Sequence, residues 1–192
     1  MKFFPIFCLL LASLLFSEVS DAGPKVGDKA PPFAVKTLAY NDFVLAEKIQ
    51  EAKEKKGLIV LDFWATWCAP CKREFPAFQK VYKDLAAKNV SFYAVSIDAK
   101  RQDVWQYIKN DAKTDFEVLV DQNAFNAGKK YGADKSLPQI VVIDGEGVIR
   151  YRHTGEIKNM EEGLKAIIEK VKPGTFPESK SVKLQTGETA SQ

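Results

Sequence analysis

Residues Leu58–Trp64 read LIVLDFW, an apolar run broken only by Asp62. Without polar alternation, such a run suits a strand buried on both faces rather than one with a wet side. A strand covered above and below needs helices in both layers, which directs the chain toward an α/β fold. The same run continues into Ala65-Thr-Trp-Cys-Ala-Pro-Cys71, so a C-x-x-C pair follows directly on a buried strand.

The rest of the pattern agrees with that start. Residues 23–35 are rich in Pro and Gly and read as an extended lead-in. Residues 45–56 have helical composition and stop at Gly57. From 69 to 88, Phe75, Phe78, Tyr82 and Leu85 recur at helical spacing, with Pro76 predicting a kink. Strands are expected at 90–97 and 116–120, and helices at 103–109 and at 123–130, the latter ending near Gly132. Residues 140–143 and 148–151 flank Asp144-Gly-Glu-Gly147, a hairpin signal. Leu164, Ile167, Ile168 and Val171 mark a last amphipathic helix over 161–171, ended by Pro173 and Gly174. There is no internal repeat. Strand-helix-strand units followed by a hairpin and a helix give a mixed sheet, parallel in part and antiparallel at one side.

The two ends are set apart by composition. Met1-Lys2 gives a short positive start, residues 3–16 are dominated by Phe and Leu, and Ser20-Asp21-Ala22 places small residues before Gly23. Residues 1–22 therefore read as a cleaved signal peptide, since an apolar run that short falls below the roughly 20 residues of a bilayer span. Retention as a membrane anchor is the alternative, and Cys8 belongs to this segment. Removing 22 of 192 residues leaves 170, one domain's worth, and changes the net charge from +3 to +4. That mild basicity is dispersed; Lys53-Glu54-Lys55-Lys56, for example, reads as the solvated end of a helix. Nucleic-acid binding has no support. Residues 175–192 are polar with little to bury, and read as a disordered tail after a domain spanning 23–174.

Export would leave Cys68 and Cys71 as the only cysteines, in a compartment that permits disulfides. A structural staple, a metal clip and a redox centre all predict a C-x-x-C. A disulfide closing so short a loop restrains the unfolded chain little, which weakens the staple. Two thiolates could hold copper, making a copper carrier the main non-enzyme reading. Tetrahedral metal sites usually need four ligands, however, and the chain has no second C-x-x-C and a single histidine, His153. His153 reads as a solvated bystander beyond a strand. For redox work the placement is favourable. Pro70 is well tolerated in a first helical turn, and the N–H groups and dipole there favour a thiolate at Cys68. Cys71, one turn further, would face inward. The expectation is an exposed nucleophile, Cys68, with a protected partner, Cys71, as thiol–disulfide exchange requires.

WCAPC after LIVLDFWAT, with Pro76 eight residues beyond Cys68, resembles the thioredoxin superfamily. VGDKAPPF, CKREFP, VSIDAKRQDVWQYIK and LPQIVVIDGEGVIRYRHTG resemble its exported TlpA/ResA-like branch, so the likeness spans residues 25–174. It implies a thioredoxin fold with an N-terminal extension and a helix-strand insert near 100–130. It also implies a thiol–disulfide oxidoreductase working without a cofactor or metal, in several members during cytochrome c maturation. Asp62 matches the buried acid that exchanges protons with the inner cysteine, against the alternative of an Asp bonded to nearby backbone. Glu74 matches the active-site glutamate of ResA-like proteins, against a surface Glu paired with a Lys. Carrying both acids departs from the ResA-like pattern, in which an amide is more usual at position 62. The resemblance also makes the Leu137–Pro138 bond cis and sets it against the cysteines, with Leu137 offering its backbone to an extended substrate. Gln139 stands where a Thr is frequent, which points to a different substrate preference. Trp67, Ala69 and Pro70 would line the substrate-facing rim, with Phe63 and Trp64 in the core.

Competing functions separate on particular positions. A peroxidase of the peroxiredoxin type would want Thr and Pro where this chain has Ala65 and Leu61. A structural adaptor would tolerate loss of Cys68. A disulfide-forming oxidase depends on a strongly favoured thiolate, often with His between the cysteines. Ala69-Pro70 supplies no such charge, while Asp62 and Glu74 oppose a second negative charge. The sequence therefore favours a monomeric, exported reductant of the periplasm or a similar compartment. Its partners would be disulfide-containing proteins and an upstream thiol–disulfide donor such as a membrane protein.

Overall fold

The computed structural model describes residues 23–171; the expected leader (1–22) and polar tail (175–192) lie outside the described residues. Seven strands form one sheet: β1 Ala34–Thr37, β2 Asp42–Val44, β3 Leu58–Trp64, β4 Val90–Ser96, β5 Glu117–Val120, β6 Gln139–Asp144 and β7 Ile149–Thr154. Their spatial order is β2-β1-β5-β4-β3-β6-β7. The three middle strands β3, β4 and β5 run parallel, and antiparallel pairs flank them on both sides. Five helices, α1 Leu45–Glu54, α2 Ala69–Leu85, α3 Arg101–Tyr107, α4 Ala127–Tyr131 and α5 Met160–Lys170, cover the sheet.

Every residue of β3 is buried, as its unbroken apolar run requires. Side chains alternate along a strand, and the aromatic contacts show which layer each one meets. Phe63 packs against Tyr131 of α4 at 5.2 Å, whereas Trp64 packs against Phe75 of α2 at 4.6 Å. Asp62, two residues before Trp64, shares the α2 face. On that face Phe78 meets Phe92 and Phe116 with ring centroids 5.4 and 5.0 Å apart, tying α2 to β4 and to the start of β5. Aromatic pairs of this kind add about 0.5–1.5 kcal/mol each beyond area burial, so the base of the site-bearing helix is firmly seated.

The lead-in is more than an extended approach. Its Gly27 and Ala30 N–H groups donate to Ile149 and Gly147 carbonyls at 2.9 and 2.8 Å, along the outer strand. Part of the open sheet edge is thereby paired. The β1–β2 hairpin that follows was not legible, because its turn carries no Gly or Pro and β2 is only three residues long. Its turn residue Tyr40 has φ 68°, and its ring lies under the Arg101 guanidinium at 4.3 Å.

Helix α2 carries Pro76 inside it and runs to Leu85, with a short 3₁₀ turn after it that completes the expected span. Two local expectations need correction. The helix expected at 123–130 is split, because Asn123 and Ala124 adopt positive φ and only Ala127–Tyr131 is α-helical. His153 lies within β7, half-buried and stacked on Tyr151 at 6.4 Å, rather than beyond the strand.

Candidate active site

The parallel strands all end at one edge of the sheet, the usual place for a site in such folds. The link 65–68 leaves β3 there and enters α2 at Ala69, with Cys68 as the N-cap. Its Sγ accepts a hydrogen bond from the Cys71 N–H at 3.3 Å, and Pro70 stands in the first turn, where no helical N–H is needed. Cys68 and Cys71 are joined as a disulfide, with Cα atoms 5.4 Å apart.

In this oxidised state the two cysteine residues are almost equally buried: Cys68 is 5% exposed and Cys71 2%. The expected contrast between an exposed and a protected cysteine is therefore not one of surface area. The asymmetry is electrostatic: one sulfur caps the helix, the other lies a turn inside it. Around them the rim is open. Trp67 is 68% exposed, Ala69 is exposed and Pro70 half-buried. A large indole is thus held in water next to the disulfide in the chain.

Two buried carboxyl groups lie on the strand and the helix that the cysteine link joins. Asp62 is buried on β3 opposite Ala94 and Ile140. No hydrogen bond to its carboxyl occurs among the described residues, so the alternative of an Asp tied to backbone has no support. Burial pushes its pKa well above the ordinary carboxylate range, and the neighbouring Glu74 charge pushes it the same way. Glu74, on α2 one turn after Cys71, is 5% exposed and not the surface residue of the alternative reading. Its Oε1 accepts the Ile157 N–H at 2.5 Å. Burial raises its pKa most; the bond from Ile157 opposes that rise, and Glu156 adds to it. Two buried acids that resist ionisation thus lie on β3 and α2, the elements that flank the cysteine link.

The Leu137–Pro138 bond is cis. Strand pairing sets Gln139 opposite Phe63, so Pro138 lies at the end of β3 from which the cysteine link departs. Pro138 is buried and Leu137 half-buried. Gln139 does not face a substrate. It is 1% exposed, its Nε2 donates to the Tyr131 carbonyl at 3.1 Å and its Oε1 accepts from Arg152 at 3.0 Å. The argument from Gln139 to substrate preference therefore loses its footing; the residue ties β6 to α4.

Sequence reasoning missed Asp98, which follows β4 and is 2% exposed. Its carboxylate accepts from the Thr66 N–H at 3.0 Å, the Thr66 hydroxyl at 2.6 Å and the Ser96 hydroxyl at 2.8 Å. Thr66 lies in the link to Cys68, so this buried acid holds the approach to Cys68. The signal was present: like Asp62 within its strand, Asp98 is a lone acid in a largely apolar stretch, here just past the end of β4. Among the described residues, no three His, Cys, Asp or Glu side chains converge as a metal site.

Comparison with known proteins agrees with this geometry. Residues 26–152 match the AhpC/TSA family. The thioredoxin-like protein YneN of Bacillus subtilis is 34% identical over 149 residues, covering 75% of this chain and 81% of its own. The thiol-disulfide oxidoreductase ResA of Oceanobacillus iheyensis is 36% identical over 123 residues, 62% of each chain. A crystal structure from Chlorobium tepidum, of a candidate thiol:disulfide interchange protein DsbE, superposes with TM-score 0.66 at 30% identity. It covers 76% of this chain and 96% of that one.

Proposed function

The chain belongs to the AhpC/TSA family and is a thiol–disulfide oxidoreductase of the ResA and DsbE type, and we propose that it acts as an exported reductant of partner-protein disulfides. One observation carries the direction. The N-terminal turn of α2 favours a thiolate at Cys68, but buried Asp62 on β3 and Glu74 on α2, the two elements that carry the cysteine link, would oppose it when charged. A site that does not strongly favour the thiolate keeps its disulfide stable relative to the dithiol, and such a dithiol gives its electrons away.

The reaction balances within the site. Cys68 thiolate attacks one sulfur of the substrate disulfide and expels the other as a thiolate, which takes up a proton. Cys71 then gives its proton to the buried acid, attacks Cys68 Sγ and releases the second substrate sulfur, which leaves as a thiol. Two electrons pass to the substrate, and the Cys68–Cys71 disulfide remains. Asp62 is the proton acceptor in this scheme, Glu74 sets the local charge, and Leu137 and Pro138 with Trp67, Ala69 and Pro70 receive the polypeptide. An upstream thiol–disulfide donor, such as a membrane protein, regenerates the dithiol.

The test uses the dithiol form with a peptide carrying an oxidised C-x-x-C-H segment, the type of disulfide met in cytochrome c maturation. Near-stoichiometric reduction of the peptide at neutral pH is expected. Oxidation of the reduced peptide by the disulfide form, with no reaction in the other direction, would reverse the assignment.

A further inference from the structure

Three consecutive residues after β7 touch both halves of the site. The Gly155 N–H donates to the Pro138 carbonyl at 2.8 Å. The Glu156 carboxylate accepts from Arg73 at two points, Nε at 3.1 Å and Nη2 at 2.7 Å. The Ile157 N–H donates to Glu74 Oε1. Pro138 belongs to the loop before β6, whereas Arg73 and Glu74 belong to α2 just beyond Cys71. Gly155 makes the turn feasible: its φ of +96° is one that side-chain-bearing residues rarely adopt.

We propose that Gly155-Glu156-Ile157 is a positioning strap that couples the polypeptide-receiving loop at Leu137–Pro138 to the proton held at Glu74. The inference rests on the proposed roles of Cys68, Glu74 and the cis-proline loop. A displacement of the loop pulls on Gly155, and through two peptide units it alters the one donor that Glu74 has from this segment. By linkage, whatever occupies the loop changes proton affinity at Glu74, and the protonation state of Glu74 changes the affinity of the loop by the same factor. The groups that face Glu74 fix the signs. Asp62 approaches from β3, Glu156 from the strap and Arg73 from α2 itself. On α5, Glu161 and Lys165 are engaged with Lys80 and Asp84 further along α2.

The test reads the Glu74 carboxyl by carbon-13 NMR titration, its resonance assigned by loss in Glu74→Gln. A Cys71→Ser protein is loaded at Cys68 as a mixed disulfide, once with 2-mercaptoethanol and once with an extended cysteine peptide long enough to cover Leu137. The small thiol leaves the loop empty and the peptide occupies it, so the two inflections should differ. Ile157→Pro, which removes the N–H, should abolish most of that difference. Glu156→Gln, which cuts the exposed ion pair with Arg73 and lowers the Glu74 inflection in both adducts alike, should reduce the difference between them; if the proline variant does not fold, this one carries the test. Identical inflections for the two adducts, or a difference that survives in the strap variants that fold, would overturn the strap. Failure of Cys68 to take up either thiol would instead defeat the exchange reading beneath it, and the strap with it.

Discussion

Serine in place of Cys68 should reduce catalysed exchange to the uncatalysed background, whereas serine in place of Cys71 should stop the reaction halfway with partner protein bound. Cys68 caps α2 and meets the helix dipole, while Cys71 lies inside the helix with its sulfur bonded to Cys68 Sγ. Mixed disulfides should therefore accumulate in Cys71→Ser and be absent in Cys68→Ser, visible as thiol-sensitive higher bands on a non-reducing gel. Neither variant should unfold. A loop this short confers only about 2 kcal/mol in the chain-entropy account, a fraction of the stability of a domain this size. Faster alkylation of Cys71 than of Cys68 in the reduced protein would contradict the assignment.

Asp62→Asn should stabilise the protein at neutral and alkaline pH and slow its chemistry at the same time. The folded-state pKa of Asp62 is raised by burial, so the folded protein holds this proton more tightly than the unfolded chain does. Its contribution is fully favourable below the unfolded value of about 3.9 and is lost as pH rises toward the folded value. An amide has no such loss. The variant should match the parent near pH 3 and exceed it by on the order of 1–3 kcal/mol at pH 8, or several degrees in Tm. With no acceptor for the Cys71 proton, resolution of the mixed disulfide should slow by about 10²-fold or more at neutral pH. Equal stability of the two proteins at every pH, with unchanged exchange, would remove Asp62 from the site.

The parts of this architecture that were legible share a physical cause. β3, α2 and the β6–β7 hairpin announce themselves because burial and turn chemistry act over a few adjacent residues: an apolar run, a 3.6-residue stripe, an Asp-Gly-Glu-Gly turn. Asp62 stood out for the same reason, since a charge inside an apolar strand is costly without a task. What escaped depends on distant partners. The β1–β2 hairpin is held by pairing Lys36 with Val120 of β5, on the far side of the chain in sequence. Gln139 looked like a rim residue until Arg152 and Tyr131 claimed its amide. Ile157 carries no chemical signal at all, because its contribution to Glu74 is a backbone N–H. Cys68 was placed just before the helix, where it stands, but the burial of a disulfide depends on how the whole link 65–68 is held, and Asp98 does that from the end of β4.

The reduction potential of the purified domain, equilibrated against glutathione buffers and read by alkylation of Cys68 and Cys71, tests the central claim most directly. Burial raises the pKa of both Asp62 and Glu74, the Glu74 charge adds to the rise at Asp62, and any negative charge that does form there opposes a thiolate at the cysteines. A shift of one pKa unit corresponds to about 1.4 kcal/mol, or about 30 mV for a two-electron couple. The account predicts a potential on the reducing side of glutathione, near the thioredoxin value of about −270 mV, and a more oxidising one when Asp62 and Glu74 are both replaced by their amides. A wild-type potential above about −180 mV, the poise of a disulfide isomerase, would contradict it.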